Sequence, residues 1–152
     1  GYCHLDLSLE NVLLNKDESQ MLVCDFGLAR KLPPAGQKFK STKGPKPGKL
    51  KYMSPEIFYG QEFDGRLSDA YSMGVMLFCM LFGIFPYVSV GDSAYKRVIS
   101  GRIQVLLKHW KLERISMAVP PAVDLISKLI APAEVRLNLD GILQHPWVML
   151  DD

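Results

Sequence analysis

The sequence predicts a mostly helical α+β fold with a short β-hairpin near its start. Two short apolar runs predict the hairpin, a long uncharged stretch predicts a buried central helix, and three later segments have helical spacing. The chain has 152 residues, of which 48% are hydrophobic. These values are typical of one globular domain with enough apolar mass for a core, and they exclude a disordered or collagen-like chain.

The hairpin is predicted from residues 11–14 and 21–24, two apolar runs of strand length. Residues 15–20 separate the two runs and are polar or charged, as a turn requires. Because the two arms of a hairpin return to the same end, we expect the residues just before the first arm to lie beside those just after the second.

The central helix is predicted within residues 70–91, where 22 residues pass without a charge. Gly83 and Pro86 are expected to end the helix near Phe82, which leaves about 13 residues and roughly 20 Å. A membrane span needs ~30 Å of apolar helix. The sequence therefore predicts a core helix that begins at Asp69 and is enclosed by protein. It predicts no association with a membrane.

Three further helices are predicted in the carboxyl-terminal part of the chain. They lie within residues 92–101, 121–131 and 139–145, each with helical spacing of apolar residues and a Pro, Gly or Asp at a boundary. The carboxyl-terminal two thirds of the chain is thus expected to be helical.

Basic side chains are concentrated in residues 30–51, which hold eight of the 18 Lys and Arg residues and none of the 16 Asp and Glu residues. Like charge interrupted by Pro and Gly predicts a mobile loop that does not bury apolar surface. Nucleic-acid binding is the alternative, but Phe39 is the only aromatic residue in this segment, so base stacking has little support.

The three cysteines bear on the compartment of the protein. Their odd number, without a secretory leader, argues against a disulfide-stapled secreted protein. We therefore expect a cytoplasmic protein, with the nucleus as an alternative.

Oxygen-bearing side chains flank the predicted hairpin. Asp6 and Asn11 come at or before its first arm, and Asp25 follows its second arm, so the hairpin should bring all three together. Carboxylate and amide oxygens are ligands that Mg²⁺ prefers, and one carboxylate remains to orient a hydroxyl.

The ordered set of motifs resembles the C-terminal lobe of a eukaryotic protein kinase. The matching segments are residues 4–11 with the family's catalytic loop, 25–27 with its metal-binding triplet, 54–56 with the end of its activation segment, 69–74 with its central helix, and 145–147 with a sequence near its last helix. The resemblance implies that residues 1–152 form a partial kinase domain in which residues 28–53 are a basic, flexible activation segment. It also implies a buried ion pair between Glu56 and Arg136.

The resemblance implies ATP and Mg²⁺ as cofactors and a protein as the substrate. Asp6 corresponds to the catalytic base that orients the substrate hydroxyl, and Asn11 and Asp25 correspond to Mg²⁺ ligands that bridge the ATP phosphates. Leu13 corresponds to a residue that contacts adenine, although plain core packing accounts for it equally well. Serine or threonine is favoured over tyrosine as the acceptor, because residues 7–11 and 54–56 lack the features of the tyrosine-specific branch.

Three positions depart from the family's pattern. Leu5 replaces an arginine that binds a phosphorylated loop, which argues against control through Ser41 or Thr42. Ser8 replaces the lysine that neutralises the transferring phosphate. Lys49 replaces a threonine that contacts the catalytic aspartate.

The last two departures suggest that a cation and a hydroxyl have exchanged places. We hypothesise that the Lys49 ammonium reaches Asp6 and the γ-phosphate while Ser8 supplies the hydroxyl, so that both act in catalysis. The alternative for Lys49 is that it is one more solvated loop lysine. The alternative for the whole chain is a pseudokinase, a binding or scaffold module in which Leu5 and Ser8 reflect lost catalysis.

The glycine-rich motif that covers ATP in this family does not occur in the chain. We therefore expect a fragment of a longer kinase that is inactive alone and takes the kinase N-terminal lobe as its partner. Apolar surface should be exposed where the missing elements pack.

Overall fold

The computed structural model describes residues 1–40 and 44–149, and the phosphorylation candidates Ser41 and Thr42 lie outside the described residues. Within the described part, seven α-helices and two small antiparallel sheets make a mostly helical α+β structure. The prediction of a mostly helical α+β fold is confirmed.

The strands lie at the amino-terminal end of the chain. Strand β1 (Tyr2–Cys3) pairs with β4 (Arg30–Lys31), and β2 (Val12–Leu14) pairs with β3 (Met21–Val23), both antiparallel. The second pair is the predicted hairpin. Asn15 closes its turn, because its side-chain oxygen accepts a hydrogen bond of 2.9 Å from the Gln20 N–H.

The helices follow the basic segment. They are α1 (Pro55–Phe58), α2 (Gly65–Phe82), α3 (Ser93–Ile99), α4 (Ile103–His109), α5 (Glu113–Ala118), α6 (Pro120–Leu129) and α7 (Leu139–Leu143). The predictions for α3, α6 and α7 are confirmed. Helices α1, α4 and α5 were not predicted. Helix α1 has only four residues, and α4 and α5 begin after Arg102 and Leu112, which do not cap a helix, whereas Asp92 and Asn138 cap α3 and α7.

Helix α2 ends as predicted but begins five residues earlier, at Gly65. Its N-cap is Asp64, whose side chain accepts a hydrogen bond of 2.8 Å from the Arg66 N–H, and Gly83 ends it in the left-handed conformation. The prediction that Asp69 opens the helix is wrong: Asp69 lies in its second turn. The start was missed because the prediction followed the uncharged apolar run, whereas the first turns of α2 carry charged and polar side chains.

The core forms around α2, and α6 packs closely against it. Gly74 permits this approach, since a Cβ at that position would lie 2.6 Å from the Leu129 Cβ. Val75 and Phe78 are fully buried, whereas Met80 is 58% exposed, so the prediction of a helix enclosed on every side is wrong for its outer face. Among the helices described, none combines the length and the apolar character that a membrane crossing needs.

Candidate active site

The loop that carries Asp6 is fastened to the central helix by Asp69. The backbone N–H groups of His4 and Leu5 donate hydrogen bonds of 2.7 and 2.8 Å to the two oxygens of the Asp69 carboxylate. Burial raises the pKa of this carboxyl, although the two backbone donors act in the opposite direction. Leu5 has a φ of 63°, an uncommon backbone conformation for a residue with a side chain, which these paired hydrogen bonds hold in place.

His4 connects this loop to the end of the hairpin. Its Nε2 lies 3.0 Å from the Cys24 carbonyl, and its Nδ1 accepts a hydrogen bond of 3.2 Å from the Asp6 N–H, so Nε2 is the nitrogen that donates. The ring packs against Phe26 at a centroid distance of 5.0 Å. His4 and Phe26 thus form one packed unit that is tied to α2 through Asp69.

Asp6 and Asn11 are in direct contact. The Asn11 Nδ2 donates to the Asp6 carbonyl at 2.8 Å and to Asp6 Oδ2 at 3.0 Å. Asn11 is buried, and this pairing turns its nitrogen toward Asp6. The amide oxygen of Asn11 therefore points away from that carboxylate and is the atom that can ligate a cation.

Lys49 joins this cluster from the distant basic segment. Its backbone N–H donates to Asp6 Oδ1 at 3.1 Å, and its Nζ donates to Asp6 Oδ2 at 3.1 Å and to Ser8 Oγ at 3.0 Å. The Lys49 and Asp6 side chains are 38% and 12% exposed, and Ser8 is fully buried. The ammonium group thus sits between the carboxylate and the hydroxyl, which is the contact that the exchange hypothesis requires.

Gly48 lets Lys49 come this close. Its φ is 88°, and a Cβ there would lie 2.6 Å from the Leu5 carbonyl oxygen. The sequence did not predict this role, although a glycine directly before the substituted position was a usable signal.

Asp25 is placed beside the cluster by the hairpin backbone. The Cys24 N–H donates to the Asn11 carbonyl at 2.9 Å, so Asn11 and Asp25 lie at the same end of the β2–β3 pair. Asp25 has a φ of 61°, and its Oδ1 accepts a hydrogen bond of 3.3 Å from the Gly27 N–H. In the described part of the chain no group of three His, Cys, Asp or Glu side chains could hold a metal, so a cation here would need the Asn11 amide oxygen as well as carboxylates.

The hairpin exposes an apolar surface beside these residues. Leu13 is 51% exposed and therefore does not pack in the core of the described structure, whereas Met76 is buried in that core. Five other large apolar side chains of this region are exposed as well: Leu14, Met21, Leu22, Val23 and Phe26. An apolar surface of this extent is typical of a binding face.

The end of the basic segment is anchored by the predicted ion pair, which is confirmed. Arg136 donates to the Glu56 carboxylate through two nitrogens, at 2.6 and 3.1 Å, and both side chains are buried. Burial raises the pKa of Glu56, but the hydrogen bonds and charge of Arg136 outweigh it and hold the pKa below its ordinary value.

The basic segment buries apolar side chains, contrary to the sequence prediction. Phe39 pairs with Phe63 through two backbone hydrogen bonds, of 2.8 and 3.1 Å, and their rings stack at 5.2 Å. Leu32 and Phe39 pack on a small cluster that contains Leu5 and Met53. Composition alone predicted a solvated loop because charge and proline dominate the segment, but two apolar residues provide enough contact area to attach it.

Comparison with known proteins adds a family match. The family model described as "Protein kinase domain" matches residues 1–148. The chain is 34% identical over 149 residues to "Serine/threonine-protein kinase SAPK6" of Oryza sativa subsp. japonica, an alignment that covers 97% of this chain and 39% of the relative. It is 33% identical over 150 residues to "Serine/threonine-protein kinase SRK2F" of Arabidopsis thaliana, which covers 97% of this chain and 41% of that relative. The chain therefore spans about two fifths of the length of these curated relatives.

Proposed function

This chain belongs to the protein kinase family, and we propose that it is the C-terminal lobe of a serine/threonine kinase that transfers the ATP γ-phosphoryl group to a protein hydroxyl. The observation that carries the proposal is the contact of Asp6 with Asn11 and Lys49 at the end of the hairpin that also places Asp25. Relatives with kinase names support the acceptor class.

Asp6 is the residue that orients the substrate hydroxyl and accepts its proton. Its carboxylate receives hydrogen bonds from the Lys49 backbone, the Lys49 ammonium and the Asn11 amide, so its position is fixed before a substrate arrives. Such fixed orientation is how an active site contributes to the rate of transfer between two bound groups.

The donor set fits a magnesium–ATP complex. Asn11 offers an amide oxygen and Asp25 a carboxylate, both hard ligands, and they lie at the same end of the hairpin. When bound, Mg²⁺ supplies charge neutralisation and alignment of the phosphates. The exposed side chain of Leu13, in the strand that follows Asn11, is available to contact the adenine.

Lys49 supplies the cation that the family's pattern places at position 8. Its ammonium already bridges Asp6 and Ser8, so it stands at the carboxylate that would receive the substrate hydroxyl. A positive charge there would stabilise the negative charge that develops on the phosphoryl group during its transfer. Ser8 provides the hydroxyl that holds the ammonium in place.

A second lobe completes the ATP site. The exposed apolar face of the hairpin is the surface that it would cover, and the described residues by themselves offer ATP half a pocket. The isolated chain is therefore expected to transfer no phosphoryl group.

We also propose that the complete protein lies in the cytoplasm or the nucleus, as the odd number of cysteines suggests.

A pseudokinase is the second candidate, because Ser8 and Leu5 replace residues that active kinases retain. The test is Mg²⁺-dependent transfer from labelled ATP by the full-length protein. Asp6→Asn should reduce the rate at least about hundredfold, while Asp140→Asn, at an exposed position of α7, should leave it unchanged. Equal rates for wild type and Asp6→Asn, or no transfer by the wild type, would overturn the proposal in favour of a binding module.

A further inference from the structure

Basic side chains form a second concentration on helices α3 to α5, away from the basic segment. Residues 96–114 hold six Lys and Arg residues and one acidic residue, Glu113. All six cations are exposed, and within residues 1–40 and 44–149 no carboxylate lies within salt-bridge distance of any of them. We call this set the helical basic surface: Lys96, Arg97, Arg102, Lys108, Lys111 and Arg114.

The amphipathic character of α3 and α4 turns these cations outward. Tyr95 and Val98 of α3 are buried, as are three aliphatic residues of α4, Ile103, Leu106 and Leu107. Helix α4 therefore presents its opposite face to solvent, and along that face Arg102, Val105 and Lys108 follow one another at intervals of three residues.

Backbone hydrogen bonds join the cations at the two ends of α4. The Arg102 N–H donates to the Arg97 carbonyl at 2.8 Å, so the last turn of α3 adjoins the start of α4. The Lys111 N–H donates to the Lys108 carbonyl at 3.0 Å, so Lys111 lies beside the end of the helix. Because α4 has seven residues and is about 10 Å long, the cations form a short continuous band and are not scattered.

Little negative charge opposes this band. Glu113 is its one acidic residue. The next acidic side chain toward the amino terminus, Asp92, is engaged as the cap of α3, because its carboxylate accepts hydrogen bonds of 2.7, 2.9 and 3.1 Å from three backbone N–H groups. The positive potential of the helical basic surface is therefore available to an anionic ligand.

Exposed aliphatic side chains lie among the cations. Val105 is 57% exposed between Arg102 and Lys108, and Met117 is 75% exposed three positions after Arg114. Cations combined with exposed aliphatic side chains on one helical surface are typical of a helix that lies on an anionic membrane.

The aromatic residues of the same segment pack inward. Tyr95 is buried, and the Trp110 ring meets the Phe78 ring edge to face at a centroid distance of 6.3 Å. Proteins that bind single-stranded nucleic acid stack its bases on exposed aromatic rings. The composition of this surface therefore favours lipid over nucleic acid as the source of negative charge.

We infer that the helical basic surface binds the surface of an anionic lipid membrane. Its cations pair with the phosphate and carboxylate groups of the lipids, while Val105 and Met117 enter the boundary between headgroups and acyl chains. The expectation of no membrane association came from the length of the uncharged stretch that forms α2 and concerns a membrane span, which this contact does not involve. The inference goes beyond phosphoryl transfer and does not depend on it.

Co-sedimentation of the full-length protein with lipid vesicles tests the inference. One vesicle type is pure phosphatidylcholine, and the other contains about one third phosphatidylserine. We expect binding to the anionic vesicles to be at least about tenfold tighter and to weaken as the salt concentration rises. Equal binding to the two vesicle types, or binding to neither, would overturn the inference.

Charge reversal locates the contact on the protein. Arg102→Glu with Lys108→Glu should weaken binding to the anionic vesicles at least about tenfold. The matched pair Lys38→Glu with Lys40→Glu makes the same change of charge at exposed positions of the basic segment and should bind like the wild type. Equal losses in the two variants would overturn the inference, because net charge alone would then account for the binding.

The folding of these variants is checked by thermal unfolding. Substitutions at exposed positions should leave the melting temperature within about 2 °C of the wild type. If the reversed pair unfolds, Arg102→Gln with Lys108→Gln takes its place and should weaken binding at least about threefold. Wild-type binding by this neutral pair would overturn the inference.

Two further measurements test the lipid part of the inference. Val105→Ser should weaken binding to the anionic vesicles about threefold, because the valine side chain would no longer leave water, and unchanged binding would overturn the proposed insertion. A random-sequence RNA oligonucleotide that binds more tightly than the anionic vesicles, and is lost in Arg102→Glu with Lys108→Glu, would overturn the membrane inference in favour of a nucleic-acid surface.

Discussion

Arg136→Met breaks the buried ion pair with Glu56 while keeping most of the side-chain volume. The two charged nitrogens of Arg136 lie 2.6 and 3.1 Å from the carboxylate, and Glu56 is only 6% exposed. The variant therefore strands a charge that water cannot reach. Loss of one partner of such a pair costs about 3 to 5 kcal/mol in the free energy of unfolding.

Thermal unfolding of the full chain measures this cost. For a domain of this size, we expect the melting temperature to fall by roughly 10 °C at pH 7. The matched control Arg97→Met, at an exposed position of α3, should change it by less than about 2 °C. The double variant Glu56→Gln with Arg136→Met should recover part of the loss, because it removes the stranded charge.

The pH dependence distinguishes a stranded charge from lost packing. In the wild type the pKa of Glu56 lies below its ordinary value of 4.5, so the pair stabilises the fold above that pH and this contribution is lost as the pH falls through the folded-state pKa. In Arg136→Met the pKa of Glu56 should rise above its unfolded value, so stability should increase as the pH falls from 7 toward 5. A deficit that stays the same at both pH values would refute the electrostatic reasoning.

Three further changes follow from the same contacts. Gly48→Ala should lower the free energy of unfolding by more than about 1 kcal/mol, because it adds a contact of 2.6 Å with the Leu5 carbonyl to the cost of a positive φ. The control Gly36→Ala, at a φ of 82° with open space, should cost less in the same denaturation experiment. Equal losses in the two variants would contradict the proposed clash. Cys79 should react with iodoacetamide about a hundredfold more slowly than an ordinary thiol at pH 8, since its pKa is about 11 against 9.0, and fast labelling in mass spectrometry would contradict its burial. Phe39→Ala should speed tryptic cleavage of the basic segment severalfold by removing the stack on Phe63, and an unchanged cleavage rate would show that this contact does not hold the segment.

Patterns that depend on local chemistry were predictable from the sequence. The hairpin, the end of α2 at Gly83 and the Glu56–Arg136 pair all follow from turn residues, capping residues or a family resemblance. Each of these features depends on a few side chains that are neighbours in the sequence or on a motif with a fixed geometry.

Features that depend on tertiary contacts were not predictable. The start of α2 is a local exception: the Asp64 cap sets it, and it was missed because this residue lies ahead of the apolar run that signalled the helix. The attachment of the basic segment depends on Phe39 meeting Phe63, 24 positions away, which charge composition conceals. The pocket lined by Glu10, Tyr52 and Phe85 brings together three segments separated in sequence, and no local pattern indicates that they meet.

The pair formed by Ser8 and Lys49 was predictable in part, from the two substitutions, and depends in part on tertiary contacts. Each substitution is visible in the sequence, and together they suggested an exchange. The two contacts of the Lys49 ammonium, 3.0 Å to Ser8 Oγ and 3.1 Å to Asp6 Oδ2, depend on Gly48 and on the fold of the segment.

The rate of phosphoryl transfer in the full-length protein, measured in a single turnover, tests the role of Lys49 most directly. Lys49→Ala should slow transfer at least about tenfold, and the double change Ser8→Lys with Lys49→Thr should restore much of the rate by returning the cation to the other side of the cluster. Lys38→Ala, which removes a cation from the same segment, should transfer at the wild-type rate. An unchanged rate in Lys49→Ala would show that the ammonium beside Asp6 takes no part in the reaction.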